Sequence, residues 1–505
     1  MSSEYFDVVI VGAGLSGIGA ARHLQDKCPG KTYVILEGRD AMGGTWDLFR
    51  FPGIRSDSDM FTLGYNFKPW RDGKAIADGQ SILNYIKETA AEGDVDRHIR
   101  YGHLVKRASW SSKDASWTIE AEQKETGETV AVRGGFVLMC AGYYSYEQGY
   151  SPEFEGQDRF RGEIVHPQHW PEDLDYAGKK VVVIGSGATA VTLIPEMAKD
   201  AAHVVMVQRS PTYMVSRPDT DIIANFLRKV LPEKIAYAIT RWKNIRFQQT
   251  VYRKTRTDPD KVRKKLLDMV RKEMGPDYDV DTHFSPRYNP WDQRLCLVPN
   301  GDFFEAIKAG RSSIVTDRID TFTENGLRLA SGTELEADII VTATGLNLVL
   351  LGGADVLVDD RPVRISDTFS YMGMMYSGIP NLVTTFGYIN ASWTLRADLT
   401  AEYACRIINH MDETGHRQCT PQLRPDEQDM QARPWITEFS SGYMQRVMHL
   451  FPKQGNKAPW LNTQNYVEDR KLLGERPVDD GVLRFSNPMT DTGTAEAEML
   501  QSDAA

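Results

Sequence analysis

The chain has 505 residues, a formal net charge of −10, and 41% apolar and 25% charged residues. This length allows about three domains with cores of their own, and the composition is that of a soluble globular protein. The acidic balance argues against nucleic-acid binding. Five scattered cysteines without a C-x-x-C pair argue against a disulfide framework, and the N-terminus lacks the pattern of a signal peptide, so a cytoplasmic location is expected.

The first predicted unit is a strand, a glycine-rich turn, a helix and a second strand. In chain order these are Phe6–Val11, the turn with Gly12, Gly14 and Gly17, then Leu15–Lys27 and Tyr33–Leu36. Glu37 ends the second strand, at the distance from the glycines that the dinucleotide fingerprint requires. The glycines would let the backbone approach a pyrophosphate at the helix N-terminus, and Glu37 would accept the ribose hydroxyls.

The residues that follow favour FAD over NAD at this first site. Gly44, Thr45 and Trp46 come a few positions after Glu37, an arrangement that many flavoproteins use to bring backbone near the flavin. The polar loop 50–59 comes next. A later strand ends in a glycine turn at Gly142 and is expected to close the first lobe.

A second dinucleotide unit begins with the strand Lys179–Ile184. Its turn and the following strand end supply the candidate ligands Gly185, Gly187, Thr189, Ala190, Arg209 and Ser210. Ala190 allows close helix packing. Arg209 and Ser210 stand where an NAD-binding domain has an acid, and a cation there favours the 2′-phosphate of NADP.

The segment after Pro211 changes to helical periodicity. Amphipathic helices rich in Lys and Arg are predicted over Asp221–Leu231, Ile235–Arg253 and Pro259–Met274. The ordinary interpretation is a set of solvated faces, and the alternative is a weak contact with a membrane surface.

A third pattern lies between the two glycine-rich turns and consists of Phe160, Gly162, His166, Trp170 and Pro171. It matches the F-x-G-x-x-x-H-x-x-x-W-P fingerprint, and the chain resembles the flavin-dependent Baeyer–Villiger monooxygenases from about residue 7 to residue 485. The similarity is greatest to the mycobacterial ethionamide-activating subgroup, through segments 43–59, 166–176 and 289–300. His166 and His169 are not interpreted as a metal pair, because no further ligands lie at suitable spacing, and no metal site is expected.

The resemblance implies an α/β fold with two Rossmann-like domains, for FAD and NADP, and a helical insertion in the NADP domain. The expected boundaries are 1–147 and 346–487 for FAD, 148–178 for a linker with the fingerprint, 179–216 and 288–345 for NADP, 217–287 for the insertion and 488–505 for a disordered tail. It also implies that Arg294 is the catalytic arginine, that Asp57 is its acidic partner, and that Gly345 lies near cofactor. Many relatives carry Lys before the arginine where this chain has Gln293, which leaves more of the NADP preference to Arg209.

The implied reaction uses NADPH to reduce FAD and adds O2 to form a C4a-peroxide, which converts a ketone to an ester or lactone. Arg294 would hold the peroxide as an anion. The protonated peroxide would oxygenate soft sulfur, so small apolar ketones and sulfides or thioamides are the expected substrates. The alternatives are a heteroatom-oxygenating flavin monooxygenase and a non-catalytic NADPH-binding flavoprotein. The missing C-x-x-C opposes a pyridine nucleotide–disulfide oxidoreductase.

Overall fold

The computed structural model describes residues 4–488. Its larger sheet has nine strands, and the parallel strands at its centre bury the apolar runs Val8–Val11 and Tyr33–Leu36, as expected for a sheet covered on both faces. In order across the sheet, these strands are Arg361–Pro362, Asp355–Val358, His103–Ser111, Ser116–Gln123, Thr129–Met139, Glu4–Val11, Tyr33–Leu36 and Ile99–Arg100, with Leu382–Thr384 beside Thr129–Met139.

The second sheet has five parallel strands. In order, they are Ser312–Thr316, His203–Gln208, Lys180–Ile184, Ile339–Thr342 and Glu163–Val165. The last of these lies inside the expected linker, so part of the fingerprint segment forms the edge strand of this sheet. The two sheets have separate hydrophobic cores.

Several smaller sheets of two or three strands lie outside the two main sheets. Antiparallel strands Ile319–Thr323, Gly326–Leu329 and Glu334–Glu336 form one. The two-stranded pairs are Met214–Arg217 with Cys296–Pro299, Tyr144–Gly149 with Leu346–Leu348, Ser370–Tyr371 with Met375–Tyr376, Gln418–Pro421 with Leu483–Ser486, and Arg433–Pro434 with Lys453–Gln454.

The helices cover the sheets and form the insertion. They are α1 (Leu15–Lys27), α2 (Thr45–Leu48), α3 (Met60–Leu63), α4 (Gly79–Glu92), α5 (Ala188–Met197), α6 (Ile222–Val230), α7 (Glu233–Thr257), α8 (Pro259–Met274), α9 (Val280–Phe284), α10 (Asp302–Lys308), α11 (Trp393–Thr414), α12 (Gly442–Gln445) and α13 (Tyr466–Glu475). Helices α6 to α8 stand where the three amphipathic helices are predicted. The predicted tail, 488–505, lies outside the described residues from 489 onward.

The expected α/β fold with two Rossmann-like units is confirmed, since each glycine-rich turn joins a parallel strand to a helix. The domain boundaries given above stay a prediction. Among residues 4–488, no helix combines the length and apolar character that crossing a bilayer requires. The same residues contain no group of three or more His, Cys, Asp and Glu side chains arranged to hold a metal ion.

Candidate active site

A cavity of about 740 Å³ lies where the two Rossmann-like units meet. It has the size of a small-molecule or cofactor site. The candidate residues that line it come from both units and from the chain between them: Gly12, Gly14, Glu37, Gly44, Thr45, Trp46, Asp57, Thr189 and Arg294.

The first glycine turn is built for close backbone approach. Gly12 has φ +98°, and a Cβ there would lie 2.7 Å from the carbonyl oxygen of Cys140 on the neighbouring strand end. A Cβ on Gly17 would lie 1.9 Å from the oxygen of Gly12, so α1 packs directly on the turn. The N-terminus of α1 therefore opens towards the cavity with its N–H groups unobstructed.

Glu37 is buried and hydrogen-bonds the glycine turn and the segment that follows its own strand. Its Oε2 accepts a hydrogen bond from the Ala13 N–H at 2.7 Å, and its Oε1 accepts one from the Arg39 N–H at 2.9 Å. Burial raises the pKa of Glu37, and these two N–H donors oppose the shift. The carboxylate lines the cavity with further lone pairs, so it holds the turn in place as well as offering an acceptor to a ribose.

Tyrosine and tryptophan side chains form another part of the cavity wall, next to the start of α1. The ring of Tyr143 stacks on that of Trp393 at 5.1 Å and 20°, and its hydroxyl lies 2.8 Å from that of Tyr144. Trp393 donates from Nε1 to the Oγ of Ser16 in α1 at 2.7 Å. Burial raises the pKa of Tyr144 and of Tyr146, each to about 12, so these phenols stay neutral at physiological pH.

Arg294 and Asp57 line the same cavity. No ion pair within 4.0 Å joins the two side chains in the described part of the chain. Burial works against the charge of Arg294, but the acidic groups around it, Tyr443, Tyr143, Tyr144 and Asp57, more than offset this, and its pKa lies above the ordinary value. Burial raises the pKa of Asp57, and Arg294 and Arg55 oppose the shift. The site therefore holds a permanently charged guanidinium among neutral phenols.

Helix α7 fixes the loops that carry these two residues. Asn244 and Gln248 donate to the carboxylate of Asp59, at 2.8 and 2.9 Å, two positions beyond Asp57. Further along the same helix, Arg256 donates from Nη1 to Asp292 at 2.9 Å, two positions before Arg294. The insertion thus holds two loops that are far apart in sequence.

The second glycine turn lies beside the cavity and only partly within it. A Cβ on Gly185 would lie 2.3 Å from the carbonyl oxygen of Ala343, and φ there is +130°. Ala190 packs in the second core, and Thr189 in the first turn of α5 reaches the cavity. Gly187 is the N-cap of α5.

Arg209 and Ser210 are exposed next to this turn, outside the cavity. Ser186 connects the two loops, because its hydroxyl donates to the carbonyl of Ser210 at 3.0 Å. The cation predicted to read a 2′-phosphate is therefore adjacent to the turn predicted to bind the pyrophosphate.

The fingerprint connects the two units without lining the cavity. His166 donates from Nε2 to the carbonyl of Gly345 at 3.1 Å, and its Nδ1 accepts from the Gln168 N–H at 3.2 Å. Burial lowers the pKa of His166, so the ring is neutral and both nitrogens are used. Gln168 donates to the carbonyl of Ser145 at 2.7 Å, which lies in the tyrosine-rich wall. His166, Gln168 and Gly345 thus support the wall from behind.

The other fingerprint residues pack on the second sheet. A Cβ on Gly162 would lie 2.2 Å from the carbonyl oxygen of Asp338, so the chain passes directly over the sheet edge. Phe160 meets Phe322 edge to face at 6.4 Å, and Trp170 packs against the second core. Pro171 follows at the half-buried end of this segment.

The structure also adds residues that the sequence interpretation missed. Tyr143, Tyr144 and Tyr146 line the cavity, although the sequence analysis assigned them no role. A signal was present, because three tyrosines directly follow the glycine turn that ends a central strand. Tyr443 carried no such signal, since it joins Arg294 only through the tertiary fold.

The residues present fit a bound dinucleotide. Arg55 lines the cavity and pairs through Nη1 with Asp302 at 2.5 Å, while its buried Nε and Nη2 have no hydrogen-bond partner among residues 4–488. Buried guanidinium donors without partners are costly, and the acceptor oxygens of a ligand would satisfy them. The open N-termini of α1 and α5 offer further N–H groups to phosphates.

Comparisons with known proteins agree with this geometry. Residues 10–72 match the family described as NAD(P)-binding Rossmann-like domain, and residues 70–275 match Flavin-binding monooxygenase-like. The chain is 54% identical to the FAD-containing monooxygenase EthA of Mycolicibacterium smegmatis, over 96% of this chain and 98% of that one. It is 46% identical to the probable FAD-binding monooxygenase AlmA of Acinetobacter baylyi, over 97% of each.

Two solved structures that share this fold are monooxygenases. An oxidized steroid monooxygenase bound to NADP superposes with a TM-score of 0.77 at 22% identity, and an open form of cyclohexanone monooxygenase with 0.75 at 20%. Each alignment covers 96% of this chain and 100% of the other. The fold and site define a flavin-binding monooxygenase. The chain belongs to the FAD-containing monooxygenase family, as its identity to EthA over nearly its whole length shows.

Proposed function

We propose that the protein is an NADPH- and O2-dependent Baeyer–Villiger monooxygenase that converts small apolar ketones to esters or lactones. The observation that carries the proposal is the cavity shared by Arg294, Asp57 and the first glycine turn, with the N-terminus of α5 opening into the same space. Bound FAD would accept hydride from NADPH and activate O2 for transfer to the substrate.

In this proposal the residues of the chain bind and orient the two cofactors. The turn at Gly12 and the carboxylate of Glu37 would hold FAD, and Thr45 and Trp46 would flank its ring. The turn at Gly187 and the guanidinium of Arg209 would hold NADPH, with the 2′-phosphate as the partner of Arg209.

Arg294 is the residue on which oxygen transfer would depend. Its guanidinium cannot lose its proton in the working pH range, so it stabilises negative charge that develops on oxygen beside it. Asp57 would orient that guanidinium. The neutral phenols around it exclude water without competing as anions.

The test is product analysis by mass spectrometry with purified, FAD-loaded protein and NADPH. The substrates are an aliphatic ketone, an aryl alkyl ketone and an aryl methyl sulfide. Esters that are formed by the wild type and lost in Arg294→Ala, with FAD content unchanged, are the expected result. Sulfoxide without ester would replace the proposal by heteroatom oxygenation. Esters formed equally by Arg294→Ala would remove Arg294 from the reaction.

A further inference from the structure

Helices α6 and α7 carry most of the exposed apolar surface of the described chain. Twelve large apolar side chains in residues 4–488 are well exposed, and eight of these lie between residues 222 and 247. A monomeric protein rarely concentrates such side chains in one place unless the surface contacts a partner or a membrane. This concentration therefore marks an interface.

The exposed side chains lie on the outer sides of an antiparallel helix pair. On α6 they are Ile222, Ile223, Phe226 and Val230, which share one side at helical spacing, with Ile222 78% and Phe226 61% exposed. On α7 they are Ile235, Ile239 and Trp242, which share one side in the same way, with Trp242 60% exposed. We call these seven residues the α6–α7 face.

The pair is held rigidly to the body of the protein. Lys243 in α7 pairs with Asp221, the N-cap of α6, at 2.5 Å, which sets the two helices side by side. The inner side of α7 is anchored by Arg241, whose Nη1 donates to the carbonyls of Phe61 and Gly64 at 3.0 and 2.7 Å. The apolar side chains opposite that anchor are therefore presented outward by packed helices.

The charge around this face is opposite to that of the whole chain. Residues 222–257 hold nine Lys and Arg and only one acidic residue, Glu233, although the chain has a net charge of −10. Three of the nine, Arg241, Lys243 and Arg256, pair with carboxylates, and the other six make no ion pair among residues 4–488. A groove of about 680 Å³ runs between α7 and α13 at the edge of the face. Lys234, Arg246, Arg470 and Lys471 line it together with one acidic residue, Glu475, and none of the four cations makes an ion pair within the described part of the chain.

We propose that the α6–α7 face docks the protein onto the surface of an anionic lipid bilayer. The apolar side chains would enter the boundary between headgroups and acyl chains, and the surrounding Lys and Arg would contact lipid phosphates. A second copy of this chain fits the face less well, because two such faces would bring like charges together.

The test is co-sedimentation of the full-length, FAD-loaded protein with lipid vesicles. One set contains phosphatidylcholine alone and the other contains phosphatidylglycerol in addition. The expected result is binding at least about tenfold tighter to the anionic vesicles, since each Lys or Arg near such a surface contributes roughly a factor of five. Raising the salt concentration is expected to weaken it.

Matched variants test the two parts of the face. Phe226→Ser removes an apolar side chain and Lys229→Glu reverses a charge, and each is expected to weaken binding about tenfold. Leu450→Ser and Lys113→Glu alter an exposed apolar and an exposed basic residue elsewhere and are expected to bind like the wild type. Flavin absorbance and the unfolding midpoint report that each variant is folded.

Several outcomes would overturn the proposal. These are no sedimentation with either kind of vesicle, equal binding to both kinds, and wild-type binding by Phe226→Ser. Sedimentation without vesicles that Phe226→Ser abolishes would assign the face to a second copy of the chain. Vesicle binding is measured without turnover, so its result does not depend on the reaction proposed above.

Discussion

Tyr443 lies beside the guanidinium of Arg294 and is the neighbour that contributes most to its raised pKa. Tyr443→Phe removes the hydroxyl and keeps the ring, so it tests the polar contact without opening a cavity. Hydrogen bonds to charged groups contribute about 1.5–3 kcal/mol, and a looser Arg294 is expected to lower kcat for oxygenated product about tenfold. The measurement is the rate of product formation together with the product formed per NADPH consumed.

The control for Tyr443 is Tyr5→Phe, which alters an exposed tyrosine near the start of the strand Glu4–Val11 in the larger sheet. This variant is expected to keep wild-type rates. If Tyr443→Phe forms product at the wild-type rate and yield per NADPH, the hydroxyl has no part in holding Arg294.

His166 predicts a pH dependence of stability. Burial lowers its pKa from the ordinary 6.5, so between the two values the unfolded chain binds a proton that the folded chain does not. The contribution of neutral His166 to stability is therefore present above about pH 6.5 and is lost as the pH falls below it. The unfolding midpoint of the wild type is expected to fall faster than that of His166→Gln over this range, so the difference between them shrinks on acidification.

His449→Gln is the matched control for His166, because this side chain is exposed. It is expected to keep the full pH dependence of the wild type. A wild-type advantage over His166→Gln that stays constant down to pH 5 would contradict the assignment of a neutral ring.

At the scale of elements, α7 connects the loops of Asp57 and Arg294. Arg256 donates to Asp292 and to the carbonyl of Pro290, directly before the loop reaches Arg294. Arg256→Ala is expected to lower kcat about tenfold, because a displacement of about 1 Å at a reacting group has effects of this order or larger. Its effect on the free energy of unfolding should stay near 1 kcal/mol, since the pair is partly exposed.

Arg253→Ala is the control on the same helix. Its side chain is exposed and makes no ion pair within residues 4–488, so both kcat and stability should match the wild type. Equal kcat values for Arg256→Ala and Arg253→Ala would show that α7 does not position the arginine loop.

The inner side of α7 predicts an effect on stability. Arg241 is buried, donates to backbone carbonyls of α3 and its C-terminal end, and lies 3.3 Å from Asp398, which also contacts His23 at 3.0 Å. Arg241→Ala removes the positive charge that pairs with the buried carboxylate of Asp398. We therefore expect the free energy of unfolding to fall by about 3 kcal/mol. Urea unfolding of the FAD-loaded protein measures it, and the exposed Arg246→Ala should change it by less than about 0.5 kcal/mol. Similar losses in the two variants would contradict the role of the buried pair.

At the scale of the whole molecule, local patterns predicted the elements well. The strand, turn and helix at Gly12 and again at Gly185 are predicted by glycines that directly follow β-branched runs. Each of these patterns lies within about 30 residues of sequence. The helix Pro259–Met274 agrees at both ends, because proline and glycine bound it. The antiparallel sheet over residues 319–336 was not predicted. The edge strand Glu163–Val165 was not predicted either, because it pairs with Ile339–Thr342, far along the chain.

The site was predictable only in part, for the same reason. Glu37 follows from spacing, and Arg294 and Asp57 came from the family resemblance. The support that α7 gives to Asp59 and Asp292 joins residues 185 and 36 positions apart, and no local pattern carries it. The spacing of apolar residues in α6 predicts an amphipathic helix. The sequence could not show that the exposed apolar residues of α7 lie beside those of α6.

The two units share a cavity, so cofactor binding should stabilise the whole molecule. A ligand that binds only the folded state at 100 times its Kd adds about 2.7 kcal/mol to the free energy of unfolding. Stripped wild-type protein is expected to gain about this amount when FAD is restored. Gly12→Ala should gain little, because its Cβ would meet the oxygen of Cys140 at 2.7 Å in a left-handed conformation.

Gly127→Ala separates backbone strain from loss of the FAD site. Gly127 also has positive φ, at +68°, but nothing lies within 4 Å of its Cβ position and it does not line the cavity. Gly127→Ala strains the backbone equally with and without bound FAD. Its free energy of unfolding without FAD should fall by up to about 1 kcal/mol, and the increase on adding FAD should equal that of the wild type. Thermal unfolding with and without FAD gives both quantities for each variant. A full FAD gain in Gly12→Ala would mean that the cofactor does not approach the chain at this turn.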